Sequence, residues 1–200
     1  IDLKIEFHIS IGGPQNPRST TTQEPHVARL PYADCTRDAV RPLAERIVAE
    51  RGSLLHLYQM LLHSGPIAEG WLTYRTAIRH HGTLPGSLRE LIIMRVALLN
   101  RAPYEADQHA PIALREGISQ AQLDALEHWA DSGLFDECQQ AVLAYTDAMT
   151  RQVQVPDAVF ARVAALHTPA EVVEITATVA AYNMVSRFLE ALQIHSHDAR

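Results

Sequence analysis

From Asp34 onward, apolar side chains recur every three or four positions and are punctuated by Gly, Pro and capping residues, the pattern of successive helices. This punctuation predicts a helix over 37–51 stopped at Gly52, and one over 54–63 stopped at Ser64-Gly65-Pro66. A third is predicted over 67–81, stopped at Gly82. Pro85 suits the first position of a helix ending near Asn100, and Pro103 opens another over 104–116 that stops at Gly117. Ser119 with Gln122 makes a capping-box pattern for a segment reaching Ala130. Helices over 136–151 and 157–166 follow, the second opened by Pro156. Thr168-Pro169-Ala170-Glu171 combines a cap, a Pro and an acidic third position. The helix it opens carries Val172, Ile175, Val179 and Tyr182 on neighbouring ridges and runs to about Ile194. No alternating strand pattern and no repeat appears after residue 34. The expected fold is all-α, a single-domain helical bundle of about eight or nine helices.

Residues 1–30 read differently. Residues 12–22 are rich in Gly, Pro, Asn, Ser and Thr and read as loop or linker, while Ile5, Phe7, Ile9 and Ile11 alternate as in a short strand. We expect 1–30 to be a leader or arm, either disordered or packing on a partner subunit, and 31–200 to be the helical domain.

Composition narrows the chemistry. The chain has 200 residues, 47% hydrophobic and 20% charged, and a formal net charge of −6 with no basic run. Nucleic acid and anionic membrane surfaces are therefore poor partners. The longest apolar run, 91–99, is interrupted by Arg95 and is too short to cross a bilayer. Residues 1–20 lack the features of a signal peptide. Cys35 and Cys138 lie too far apart in sequence to form a Cys-type zinc motif, and two cysteines make no disulfide framework. A cytoplasmic protein is the expectation, and because no second histidine or spaced partner follows Glu105 and His109, no metal site is expected.

Three residues stand out as candidates for chemistry. Glu105 and His109, four apart, share one helix face. Glu90 lies near the start of a segment that is apolar nearly all round, the mark of a buried helix. An imidazole with an ordinary pKa of about 6.5 can accept and return a proton near neutrality, and a neighbouring carboxylate can orient it. Spacing alone also fits a first-turn charge at Glu90 and an ordinary Glu–His pair. Pro111 deprives the Asp107 carbonyl of its helical partner, and a kink there would open the His109 end to a cavity. Arg95, mid-helix among Leu91, Ile92, Met94, Val96 and Leu99, must be paired if buried, either with a protein carboxylate or with a substrate. His80-His81 and His195-Ser196-His197 read as solvated histidines.

Residues 88–97 (Leu-Arg-Glu-Leu-Ile-Ile-Met-Arg-Val-Ala), the Tyr104-Glu105 and His109 block, and Gly117-Ile118-Ser119 before Leu123 resemble the carboxymuconolactone decarboxylase family, related to the alkylhydroperoxidase D-like proteins. Residues 180–188 resemble the closing helix of its longer members, so the likeness runs from about residue 32 to 194. The resemblance implies an all-helical homo-oligomer, trimer or hexamer, working without a cofactor. In the peroxidase branch a Glu and a His flank a Cys-x-x-Cys. Laid on this chain, the Glu and His fall on Glu90 and His109, while the cysteines fall on Ala102 and Glu105. The redox centre is missing, which argues against dithiol peroxidase activity. The decarboxylase branch lacks the cysteines and carries a glutamate four before its histidine, as here.

The leading expectation is a cofactor-independent lyase acting on a small carboxylated lactone or related acid. His109 would be the general acid/base, positioned by Glu105, with Glu90 as second proton-transfer or orienting group. Arg95, with Arg187 behind it, would hold a substrate carboxylate. The alternatives are a peroxidase-related protein working through Cys35 or Cys138, and a non-catalytic helical oligomer or ligand carrier.

Overall fold

A computed structural model describes residues 28–198. The loop, strand and arm expectations for the first 27 residues lie outside the described residues. Among those described there are nine α-helices, numbered α1–α9 in chain order, and no strand. They are α1 (Arg41–Arg51), α2 (His56–Leu61), α3 (Gly65–Thr76), α4 (Gly86–Leu99), α5 (Pro103–Arg115), α6 (Gln120–Ala125), α7 (Glu137–Gln152), α8 (Asp157–Leu166) and α9 (Pro169–Leu192). None is long and apolar enough to cross a membrane.

Most helix ends lie within a few residues of the sequence signals, because local chemistry sets them. Gly52 ends α1 in the left-handed region (φ 80°), open to glycine at little cost. Reciprocal capping boxes start α6 at Ser119/Gln122, α7 at Asp136/Gln139 and α9 at Thr168/Glu171. Pro103 opens α5, whereas Pro85 stands one residue before α4. Pro111 does not stop α5, which runs on to Arg115.

Two stretches expected as plain helix differ. The end of the third expected helix, Ala77–His81, winds as a π turn. Beyond it, the Glu174 carboxylate on α9 accepts hydrogen bonds from the Thr83 and Leu84 backbone N–H groups at 2.8 and 2.7 Å, tying down the chain that leaves the turn. The segment after α6, Leu126–Asp131, tightens into a 3-10 turn, with His128 off helical geometry (φ −120°, ψ 38°). Here the Arg95 guanidinium donates to the Leu126 carbonyl at 2.6 Å and the Glu127 carbonyl at 3.4 Å, drawing both toward the side chain.

Helix α4 is the axle of the domain, packed against α5, α7 and α9 and buried along nearly its whole length. Around it lies one apolar core, including Leu91, Ile92, Val96, Leu143, Val179 and Tyr182. A second core joins α1, α2 and α3 to Tyr104 and the far end of α9 through Ile47, Leu57, Leu72, Val185 and Leu189. With 24 residues, or about 36 Å at 1.5 Å each, α9 serves both cores. The seam between them falls at Tyr182–Val185.

Arg95 is the one buried cation on α4. Its Nε and Nη2 donate to the two oxygens of Asp147 on α7 at 2.6 and 2.7 Å, and its Nη1 serves the Leu126 carbonyl. Replacing it strands a largely buried carboxylate and a buried carbonyl. Arg95→Ala should therefore lower stability by about 3 kcal/mol, measured by denaturant unfolding. An unchanged midpoint would show that the pair does not brace α4, α7 and the 3-10 turn.

Candidate active site at the seam

Packing of α4 against α5 brings two of the expected residues into contact. His109 Nδ1 lies 2.6 Å from Glu90 Oε2, with both side chains buried. Arg89 Nε donates to the other Glu90 oxygen at 3.4 Å. Burial raises the carboxyl pKa of Glu90, but the hydrogen bond from His109, with the cations Arg79 and Arg89 nearby, outweighs it and holds the group below its ordinary value. Burial pushes the His109 pKa down further than Glu90 lifts it. The pair is thus an ionised carboxylate and a neutral imidazole. Its Nδ1–H is donated to Glu90, leaving the Nε2 lone pair as the base.

Glu105 is placed differently from expectation. Rather than orienting His109, it accepts a hydrogen bond from the Ser186 hydroxyl on α9 at 3.0 Å, and Arg75 Nη1 on α3 lies 3.9 Å from its other oxygen. Burial raises its pKa, Arg75 and Ser186 only partly oppose this, and Glu90 adds to it. The carboxyl is pushed up to about 7. Glu90 takes the orienting role that sequence spacing had assigned to Glu105.

Tyr182 closes the group. Its ring meets His109 edge-on at 5.1 Å between centroids, and its hydroxyl accepts from Arg75 Nη2 at 2.9 Å. The Arg75 guanidinium also lies 4.4 Å from the Tyr182 ring centroid. Burial pushes the phenol up to about 12, so Tyr182 keeps its proton.

A cavity of about 350 Å³ opens onto this group. Glu105, His109 and Pro111 from α5 line it together with Arg51, Arg75, Arg79 and Arg115. Pro111 thus borders the cavity beside His109 without breaking the helix.

Arg95 and Arg187, the expected substrate-carboxylate ligands, are not brought here. Arg95 is used up by Asp147 and the two carbonyls, and Arg187 donates to the carbonyl and side-chain oxygens of Asn183 one turn back on α9. The sequence reading missed Arg75, Arg79 and Ser186. Nothing in their local spacing marks them, because α1, α3, the π turn and α9 meet only in the fold. Cys35 and Cys138 pack with different cores, and neither lines the cavity. Among the described residues no group of His, Cys, Asp or Glu could hold a metal ion.

Residues 66–148 match the model of the carboxymuconolactone decarboxylase family. The chain is similar to an alkylhydroperoxidase AhpD core, an uncharacterized peroxidase-related protein from Ralstonia eutropha JMP134. The TM-score is 0.73 at 17% identity, over 84% of this chain and 92% of that one. It is similar to the debrominase Bmp8, with TM-score 0.69 and 18% identity over 88% of this chain and 92% of that one. A protein of unknown function from Agrobacterium tumefaciens aligns with TM-score 0.63 and 21% identity, over 69% of this chain and 94% of that one. At such identities the structural likeness shows the fold. No curated protein matches the chain. The family match and the alkylhydroperoxidase D-like fold bear out the resemblance drawn from the motifs.

The state of Glu105 gives a measurable signature. Its folded pKa of about 7 stands above its ordinary 4.5, so the folded state holds this proton more tightly than the unfolded chain. The resulting stabilisation is full below about pH 4.5 and is lost as pH rises through about 7. Glu105→Gln keeps the neutral form at every pH. It should raise the melting temperature more at pH 8 than at pH 5. An equal shift at both values would place Glu105 as an ordinary ionised carboxylate.

Proposed function

We propose that this protein is a cofactor-independent lyase of the carboxymuconolactone decarboxylase type, acting on a small carboxylated lactone or a related acid by proton transfer. The observation that carries this reading is the cavity whose wall holds both a neutral, carboxylate-oriented histidine and a carboxyl that gains and loses its proton near neutrality. Two such groups in unlike environments are the acid/base apparatus such a reaction needs.

Decarboxylation breaks the bond between a ring carbon and its carboxylate. CO₂ departs, and the bonding pair stays on the ring, delocalised toward the lactone carbonyl. That pair must then be quenched by a proton delivered to carbon. Glu105 supplies the proton from the cavity wall, and the carboxylate it leaves faces the Arg75 guanidinium. His109 takes up a solvent proton at Nε2 and passes it on to restore the Glu105 acid, with Glu90 holding the ring and stabilising the imidazolium that forms in between. Tyr182 and Ser186 fix the positions of these groups.

Thiol chemistry finds no support at this site. The positions of the redox pair are taken by Ala102, which is buried, and by Glu105. Burial also raises the thiols of Cys35 and Cys138, the opposite of an activated cysteine. The peroxidase-related reading of the fold would therefore have to work through cysteines remote from the cavity.

Turnover is best sought on a panel of carboxylated lactones, following CO₂ release. His109→Ala should lower kcat by roughly 10²–10⁴-fold, the usual cost of losing a general acid/base. Full activity in that variant would sink the scheme. The Cys35→Ser/Cys138→Ser double variant should turn over the lactone as wild type does, and a loss of activity on that protein would revive the thiol reading.

A further inference from the structure

The cavity is short of negative charge. Arg51, Arg75 and Arg79 all line it, and each has a buried N–H without a hydrogen-bond partner: Nη1 of Arg51, Nη1 of Arg75 and Nε of Arg79. The bonds that Arg51 does make go to neutral oxygens, those of Tyr58, Leu72 and Thr76. Arg75 is 6% exposed, and the carboxylate nearest it, Glu105, stands at 3.9 Å and is about half protonated near neutral pH. Buried guanidinium groups left this way are costly, and each unmet donor adds a desolvation penalty. A group that brings its own negative charge and several acceptor oxygens would remove both costs at once.

The backbone explains how the cluster forms. Arg75 ends α3 and Arg79 lies in the π turn that follows, while Arg51 closes α1. The wide turn changes the direction in which positions after Thr76 project, and Arg79 reaches the same cavity as Arg75. Wide turns of this kind recur at functional sites, and this one has Glu174 tying down its exit.

We propose that Arg51, Arg75 and Arg79 form the subsite for the anionic end of the ligand, a small dianion carrying carboxylates or a phosphate group, and that its arrival leaves the proton on Glu105. The proposal rests on the catalytic reading above for the place of the reacting end beside His109. Oxygens that meet the Arg75 guanidinium from the cavity take up the cation that otherwise favours ionised Glu105. The other groups facing Glu105 are Ser186 and Tyr182 from α9, Glu90 from α4, and His109 one turn along α5. Only Ser186 among them opposes protonation of Glu105 directly, and Glu90 favours it. Substrate binding thereby readies the acid it needs.

Calorimetric titration of the full chain with succinate and with inorganic phosphate, at millimolar concentration and pH 7, tests this. Binding of either supports the subsite, and the tighter of the two identifies the carboxylate or the phosphate source. Arg79→Ala, a half-buried position that the core does not depend on, should weaken binding roughly tenfold or more, and Arg79→Lys less so. Repeating the succinate titration, whose ligand is almost fully dianionic at pH 7, in buffers of different ionisation enthalpy should show proton uptake in wild type and none in Glu105→Gln. Failure of both anions to bind, binding indifferent to Arg79→Ala, or binding without proton uptake overturns the proposal. The His109→Ala protein separates the two readings: it should still bind the anion. If it binds and also turns over lactone at the wild-type rate, the lyase reading falls and the subsite stands. If no anion binds while turnover depends on His109, the subsite falls and the lyase reading stands.

Discussion

Glu90 sits on the most enclosed helix of the protein with none of its surface in contact with solvent. A carboxylate there is tolerable only if its oxygens are matched, and the matching groups come from two directions: Arg89 beside it and His109 across the α4–α5 interface at 2.6 Å. That requirement fixes the register of α5 on α4. It also fixes which imidazole nitrogen is occupied, and so which one is free. Tyr182 then seats its ring edge-on against His109, which sets α9 against the same pair. The positions of three helices around the cavity follow from satisfying one buried charge.

The second carboxylate shows what happens without such matching. Glu105 is as buried as Glu90, yet it receives only a hydroxyl from Ser186 and a guanidinium at 3.9 Å. Desolvation therefore prevails in one case and pairing in the other, and the two acids are driven in opposite directions. On the family pattern, Glu105 occupies a position where the peroxidase branch carries a thiol. The scaffold shared with a peroxidase-related protein supplies a buried location, and the residue placed there decides what chemistry is open to it.

What the sequence made legible was whatever is decided locally. Gly52, Pro103, Ser119, Asp136 and Thr168 set helix ends through their own backbone and side-chain bonds, so those ends could be read directly. The π turn at Ala77–His81 and the 3-10 turn at Leu126–Asp131 could not. The chain leaving the first is tied by Glu174, 91 residues from Thr83, and the carbonyls of the second are held by Arg95, 31 residues from Leu126. The site divided in the same way. Glu90, Glu105 and His109 were legible as residue types on adjoining helices, but which acid faced the imidazole was a matter of packing. Arg95 misled because a buried cation announces only that it has a partner, not whether that partner is protein or ligand. Asp147, 52 residues on, is the answer that the fold gives.

The location of the cavity explains why its cations went unread. It lies at the seam between the α4-centred core and the α1–α3 core, where α9 passes from one to the other. Glu90 and His109, the acid/base pair of the proposed reaction, stand on α4 and α5, and the family match over residues 66–148 spans these helices and α3 alike. Arg51, Arg75 and Arg79 come from α1, α3 and the π turn, and Arg115 from the end of α5. In the proposed reaction, proton transfer falls to α4 and α5 while most of the cations come from α1, α3 and the π turn. The α4–α5 pair can keep its geometry while those cations change which anion is admitted. Specificity in such an arrangement resides in the half of the site that spacing along the chain reveals least.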